Sequence, residues 1–252
     1  MGKLRAATVP VASLDPASVE RMFALFEAYY VNTSFAHFER DLRAKHNVIV
    51  LRDRATGRIE GFSTLRDLEA EVDGRKVYGV FTGDTIIAPS FWGGSALTWA
   101  FFTYLVRGKL RHADAPYYWF LISKGYKTYL LLSRNFPTYW PRHDRKMPER
   151  ETRIIAELAE EKYPGAYDRG VLRFARSEGR LKSGVAPIDT ELLVHEDIRF
   201  FAEKNPGHAR GDELCCLGRV DIGLWFKFLG RMFSKAMAPK SETELAAVRK
   251  LG

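Results

Sequence analysis

Residues 80–102, "VFTGDTIIAPSFWGGSALTWAFF", pass from a strand into a helix through one short loop, and this passage restricts the fold more than any other stretch. β-Branched and aromatic residues run as far as Ile87. Pro89 then stops the strand, Gly93 and Gly94 supply a loop without side chains, and from Ala96 onward apolar residues recur at helical spacing. A strand that feeds a helix in this way leaves the helix's first N–H groups aimed into the loop, where the helix dipole adds to them. The expected occupant is an anion, most often a phosphate.

What precedes the loop is a meander. "NVIVLRD", "IEGFSTLRDLEAEV" and "KVYGVFTGDTIIA" alternate as strands and are separated by the turn sequences "RATGR" and "DGR". Two helices come earlier. In "SLDPASVERMFALFEAYY" Asp15 is placed to cap and Pro16 to start the helix, and "SFAHFERDLRAK" puts Phe35, Phe38 and Leu42 on one side. After the loop the pattern reads helix ("GSALTWAFFTYLVRG"), strand ("APYYWFLIS"), helix ("KGYKTYLLLSRNF") and short strand ("PTYWP"). This order is α/β of the α+β kind: a mixed, mostly antiparallel central sheet flanked by helices over residues 1–145. Residues 146–252 read as an α/β C-terminal extension packed on that core. It holds a helix at "PERETRIIAELAEEKY", a hairpin within "GVLRFARSEGRLKSGV", a helix near "DTELLVHEDIRFFAEKN" and a strand at "LCCLGRV". It ends in a basic amphipathic helix.

Composition narrows the class. With 46% hydrophobic and 13% aromatic residues the chain fills a core and has aromatics to spare for a pocket. There is no apolar h-region in "MGKLRAATVPVASLD" and no run of 18 apolar residues, so the expected location is cytoplasmic. Cys215 and Cys216 are adjacent, which suits neither a disulfide nor a metal, and the six histidines show no ligand or triad spacing. No metal is expected. The net charge of +8 is concentrated: between Tyr104 and Arg150 ten Lys and Arg face three Asp and Glu. Such a stretch attracts phosphates, acidic proteins or anionic lipid, or is simply a solvated face. No helix-turn-helix, RNA-recognition or zinc pattern accompanies it, so no nucleic-acid partner is expected.

Two motifs in order resemble the GNAT superfamily of N-acetyltransferases, and the resemblance covers roughly the first 145 residues. Pro89 stands three positions before Trp92, where that family carries Arg or Gln. Gly93 matches the first glycine of its R-G-x-G-x-G loop, and "ALTWAFFTYL" matches the helix that follows. In the second motif Lys124 takes the place of an Asn, and Asn135 and Phe136 the place of a Gly-Phe. Trp92, Ser95 and Leu97 depart from the pattern, and the family's frequent general-acid tyrosine falls on Leu131. There is also a distant similarity to acyl-homoserine-lactone and N-acyl amino acid synthases, which take acyl groups from carrier proteins.

The resemblance implies an acyltransferase that moves an acyl group from a pantetheine thioester, acyl-CoA or acyl carrier protein, to an amine or hydroxyl. The alternative is a non-catalytic binding module with a degenerate cofactor loop. Trp92, Gly93, Gly94, Ser95, Ala96 and Leu97 would meet the donor's phosphates, with Leu97 a candidate obstruction. Lys124 either contacts phosphate or is solvated, and Trp92 either stacks on the donor, walls the pocket or anchors the turn. Asp84 is the candidate general base, against a role bonding Thr82 and Thr85 locally. Tyr126 and Tyr129 are candidate general acids, against core or rim positions. The aromatic runs suit a small-molecule or lipid-like acceptor. In "IGLWFKFLGRMFSKAM", Leu224, Trp225, Phe228, Leu229, Met232 and Phe233 share a face, with Lys227, Arg231 and Lys235 on or beside the other. Residues 222–238 thus read as a peripheral membrane contact, a homodimer seam or a helix packed on the domain.

Overall fold

The computed structural model describes residues 3–31, 33–173, 180–181 and 188–237, with the backbone alone at 180–181, 229 and 231–237. The centre of the predicted hairpin, residues 174–179 and 182–185, lies outside the described residues, as do the side chains of Leu229, Arg231, Met232, Phe233 and Lys235.

The meander forms as its turns require. Strands β1 (Leu4–Pro10), β3 (Asn47–Asp53), β4 (Ile59–Val72) and β5 (Arg75–Ile87) pair antiparallel in the order β1-β3-β4-β5. The β4–β5 turn is the two-residue Asp73-Gly74 loop, closed by the Val72–Arg75 pair. Both loop residues have positive φ, 56° and 69°, which is what the twist of a tight hairpin demands and why Asp-Gly stands there. Strand β6 (Tyr117–Ser123) then adds parallel to β5, and β11 (Glu213–Arg219) adds antiparallel to β6. The short strands β7 (Tyr139–Trp140), β8 (Tyr167–Asp168) and β9 (Val171–Leu172) finish the sheet beyond β11. β2 (Tyr30–Val31) and β10 (Arg180–Leu181) form a separate ribbon. The stretch beyond residue 145 therefore supplies strands of the central sheet itself: β11 runs in register along β6 from Leu214–Ser123 to Arg219–Tyr118.

Helices cover both faces. α1 (Pro16–Phe26), α2 (Phe35–Arg43) and α5 (Glu149–Lys162) lie on one; α3 (Ala96–Arg111), α4 (Tyr126–Asn135), α6 (Glu196–Lys204) and α7 (Ile222–Met237) lie on the other. Asp15 caps α1, its carboxylate accepting from the Ser18 N–H at 2.7 Å, and Val19, Met22, Leu25 and Phe26 bury one face. Each such side chain contributes about 1.5–3 kcal/mol by leaving water. Central β6 is buried on both sides: Trp119 and Leu121 face α3 and α4, while Tyr118 and Phe120 face α5. The adjacent cysteines of β11 split between the two cores in the same way, and burial pushes both thiols up. Leu224 is buried and Trp225 packs beside it, while Phe228 stacks on Phe102 and meets the edge of Trp99, so these three residues of α7 turn toward the domain. Ile222 and Phe226 stay exposed. Among the described residues no helix is long and apolar enough to cross a membrane.

Candidate active site

β5 and β6 are hydrogen-bonded only from Tyr78–Tyr117 to Phe81–Phe120. Beyond Phe81, β5 runs on to Ile87 paired with β4 alone, so a split opens between the two parallel strands. The cause is local. The register shifts between Ser63–Thr85 and Leu65–Thr82, which leaves Gly83 and Asp84 together opposite Thr64: a β-bulge. Glycine is required at the first of these positions, because a Cβ there would lie 2.5 Å from Thr64 Oγ1 and 3.0 Å from Lys45 Cε. The bulge also resets which face the strand presents. Phe81 packs in the α5 core, and Ile86, five residues on, packs on that same side of the sheet in the α1 core. At the mouth of the split the Trp119 indole donates to Thr82 Oγ1 at 2.9 Å.

Asp84 therefore faces the α2 and α5 side, into a cluster of charges. Lys45, at the end of α2, is buried and donates to Asp41 Oδ2 at 2.6 Å. Lys124 pairs with Glu213 Oε1 at 3.3 Å and lies over the Tyr30 ring. Lys162 lies over the rings of Phe81 and Tyr163. Desolvation, reinforced by the Asp41 carboxylate, pushes the Asp84 carboxyl up to about 6 against the opposing pull of Lys45, Lys124 and His37. Burial raises the Glu213 carboxyl as well and lowers the Lys162 ammonium to about 8, with Lys45 adding to the latter.

On the other side of the split lies the loop. A single helical turn, Pro89–Phe91, leads to Trp92, and Gly93 follows at φ 79°, a conformation that favours glycine. The Trp92 indole donates to the Ile87 carbonyl at 2.7 Å, and the Tyr29 hydroxyl donates to the same oxygen at 3.1 Å. Of the three roles open to Trp92, the bond it makes is that of a turn anchor. Helix α3 starts at Ala96 with neither a side-chain cap nor an acidic residue in its first turn, so its first N–H groups have no side-chain acceptor of their own. Leu97 packs against the core under α3, which takes its branched side chain out of the loop.

The remaining candidates separate. Lys124 belongs to the Glu213 and Tyr30 cluster on the Asp84 side, so its ammonium is committed there and not to a phosphate at the Trp92–Leu97 loop. Tyr126, the first residue of α4, is buried in the α3-side core just beyond the end of β6. Tyr129 is fully buried among Tyr139, Phe200 and Phe201, and its hydroxyl donates to the Pro141 carbonyl at 3.0 Å: it is a core anchor, away from the split. Asp41, Lys45, Glu213 and Lys162 were not singled out in the sequence. Glu213 carried one signal, a carboxylate opening the apolar run "ELCCLG". Among the described residues no group of three or more His, Cys, Asp or Glu could hold a metal.

No protein-family model matches the chain, and no curated protein sequence matches it. Solved structures do. A probable N-acyltransferase from Enterococcus faecalis V583 is 13% identical over 57% of this chain and 37% of its own, with a TM-score of 0.40. The N-myristoyltransferase of Saccharomyces cerevisiae, solved with bound myristoyl-CoA, is 14% identical over 49% of this chain and 31% of its own, with a TM-score of 0.36. A GNAT family N-acetyltransferase from Escherichia coli, solved in complex with CoA, is 16% identical over 56% of this chain and 78% of its own, with a TM-score of 0.35. The chain spans about a third of the length of the first two.

Proposed function

We propose that the chain is an acyltransferase that takes an acyl group from a pantetheine thioester lying in the split between β5 and β6. One observation carries the reading: the Gly83–Asp84 bulge opens the sheet and sets a carboxyl with a pKa of about 6 at the opening. A pantetheine arm laid along β5 would bond to the backbone groups that β6 no longer engages, with its phosphates at the first turn of α3. At pH 7 a group of pKa about 6 is roughly nine-tenths ionised, and it takes a proton from an amine approaching on the α2 side. The amine nitrogen attacks the thioester carbonyl, the C–S bond breaks, and the thiolate leaves and is protonated, with Tyr126, three residues beyond the end of β6, the candidate donor. Acyl-CoA is the simplest donor; a carrier protein's phosphopantetheine presents the same thioester, and a hydroxyl acceptor would use the same base.

The test is direct binding of acyl-CoA followed by turnover with a panel of amines. Saturable donor binding, with kcat/KM rising through a pKa near 6, is expected. Binding of neither acyl-CoA nor acyl carrier protein would remove the reading. The loop favours a second reading, a binding module without turnover, because Trp92 is tied to Ile87 where the motif carries Arg or Gln. Donor binding without transfer to any amine would favour that module.

A further inference from the structure

α7 is apolar on two sides. Leu224, Trp225 and Phe228 turn toward the domain, while Ile222 and Phe226, four residues apart on the opposite side of the helix, are 70% and 71% exposed. An apolar strip of this kind costs free energy in water and is withdrawn from it at an interface. Its neighbours share the pattern. Phe228 stacks on Phe102 of α3 at 3.7 Å, and a Cβ on Gly223 would lie 3.5 Å from Pro137, just past the end of α4, so α7 reaches from α4 across to α3. α4 turns Tyr126, Tyr129, Leu130 and Leu132 inward and leaves Lys127, Leu131 and Arg134 along one exposed flank, Leu131 at 56%. α3 adds Arg107 and Arg111 on the same side of the sheet, both exposed.

Charge decides what such a face receives. Not one Asp or Glu occurs in α3, α4 or α7. The helices of the opposite side are acidic, with Glu39, Asp41, Glu149, Glu151, Glu160 and Glu161 among their residues. They expose one large apolar side chain, Phe35 at 38%, which meets the ring of Phe23 edge-on. The nearest carboxylates on the cationic side are engaged. Asp221 accepts from the Leu224 N–H at the start of α7, and Asp197, at the start of α6, accepts from the Ser133 hydroxyl at 2.8 Å. α6 itself, with Glu196 and Glu203 exposed, bounds the face. Exposed Ile, Phe and Leu with Lys and Arg beside them, and no acid between, match a surface that is apolar within and anionic at its boundary.

We propose that the face formed by α4 and α7 docks on an anionic lipid surface. Leu131, Ile222 and Phe226 enter the boundary between headgroups and acyl chains, and Lys127 and Arg134 meet the anionic headgroups. Lipid fits this face better than the other occupants. A second copy set against it by a twofold axis would bring cations against cations. Apolar residues standing along two helix flanks suit a deformable surface more than the fitted pocket of a protein partner. None of these residues belongs to the Trp92–Leu97 loop or to the split, and docking is independent of acyl transfer at Asp84.

The test is co-sedimentation of the full chain, without an acyl donor, with vesicles of phosphatidylcholine alone or with about 30% phosphatidylserine. Binding to the anionic vesicles is expected, about tenfold or more above the neutral ones, and it should fall when salt is raised to about 0.5 M. Ile222→Ser with Phe226→Ser should weaken it about tenfold or more, and so should Lys127→Glu with Arg134→Glu. All four side chains are exposed, and unchanged thermal unfolding verifies that the variants fold. Leu131→Ser repeats the apolar test on a different helix, with a loss of about threefold or more. The proposal is overturned if the chain pellets with neither vesicle, if it binds both alike, or if the folded variants bind as the parent does. Polyglutamate bound as tightly as the anionic vesicles would make the occupant an acidic polypeptide and overturn it as well. So would a dimer, seen by sedimentation equilibrium without lipid, that Ile222→Ser with Phe226→Ser converts to monomer, since a second copy would then cover the face.

Discussion

The two faces of the sheet handle charge in opposite ways. On the α2 and α5 side, Asp84, Glu213, Asp41, Lys45, Lys124 and Lys162 crowd around the split, with Lys45 paired to Asp41 and Lys124 to Glu213, and with Lys45 and Glu213 buried. On the α3 side, an open groove between β1 and α3 has Lys3, Arg54, Arg107 and Arg111 among its lining residues and no carboxylate. Buried pairs cost desolvation and return it as fixed geometry, so that breaking one leaves a charge stranded. Unpaired surface cations contribute nothing to stability and are free to attract a ligand. The first face holds its charges in pairs, and the second leaves Arg107 and Arg111 without a carboxylate partner among the described residues.

This contrast can be broken in several places. The largest effect is expected at Asp84: Asp84→Asn should lower turnover about 10²–10⁴-fold in steady-state acyl transfer while the donor's dissociation constant stays within about twofold. Equal loss of both would return Asp84 to a structural role. Next comes Glu213→Gln, which leaves Lys124 facing an amide in place of its carboxylate; about 1–3 kcal/mol of stability should be lost in urea unfolding. No loss would mean that the cluster is not held by that pair.

A comparable but opposite shift is expected for the stability of Asp84→Asn. Burial raises the Asp84 carboxyl to about 6, so the folded state binds its proton more tightly than the unfolded chain does. That contribution is complete below about pH 4 and is lost as pH rises through 6. Asparagine has no charge to bury, so the variant should exceed the parent by about 1–3 kcal/mol at pH 8 and match it near pH 3.5. A pH-independent difference would place the carboxyl in water. Smaller still, Tyr129→Phe removes only the bond to the Pro141 carbonyl and should cost about 1 kcal/mol with turnover unchanged. On the opposite face, Arg107→Ala and Arg111→Ala should each change stability by less than about 0.5 kcal/mol, since neither side chain has an ion-pair partner among the described residues.

Much of the fold is legible in the chain. The Asp-Gly turn, the Asp15 cap and the alternation in β3 to β5 are specified within a few residues, and each element forms where its pattern places it. The loop from Pro89 to Ser95 is legible for the same reason. Tyr126 and Tyr129 show where legibility stops. They lie three residues apart on one short helix and are alike in sequence, yet the second is buried on Pro141, and only packing from α6 and β7 makes that distinction. Lys124 is a similar case. Strand parity sends it to the α5 side of β6, and its partner Glu213 arrives from a strand that pairs only once the sheet is assembled.

By itself the sequence determined the elements, the order of the meander, the helix that follows a glycine loop, and the presence of Asp84 near the end of its strand. Tertiary structure decided the face to which Asp84 points, because one extra residue at the bulge resets the parity of everything after it. It also decided which cations are neutralised. The basic stretch after Tyr104 disperses: Lys124 goes to Glu213, Arg142 to Asp144, and Lys109 to three backbone carbonyls, while Arg107 and Arg111 join cations from the far end of the chain. Turns and helix caps depend on neighbours within a few residues, whereas a charge acquires its partner from strand order and register, which no local pattern encodes.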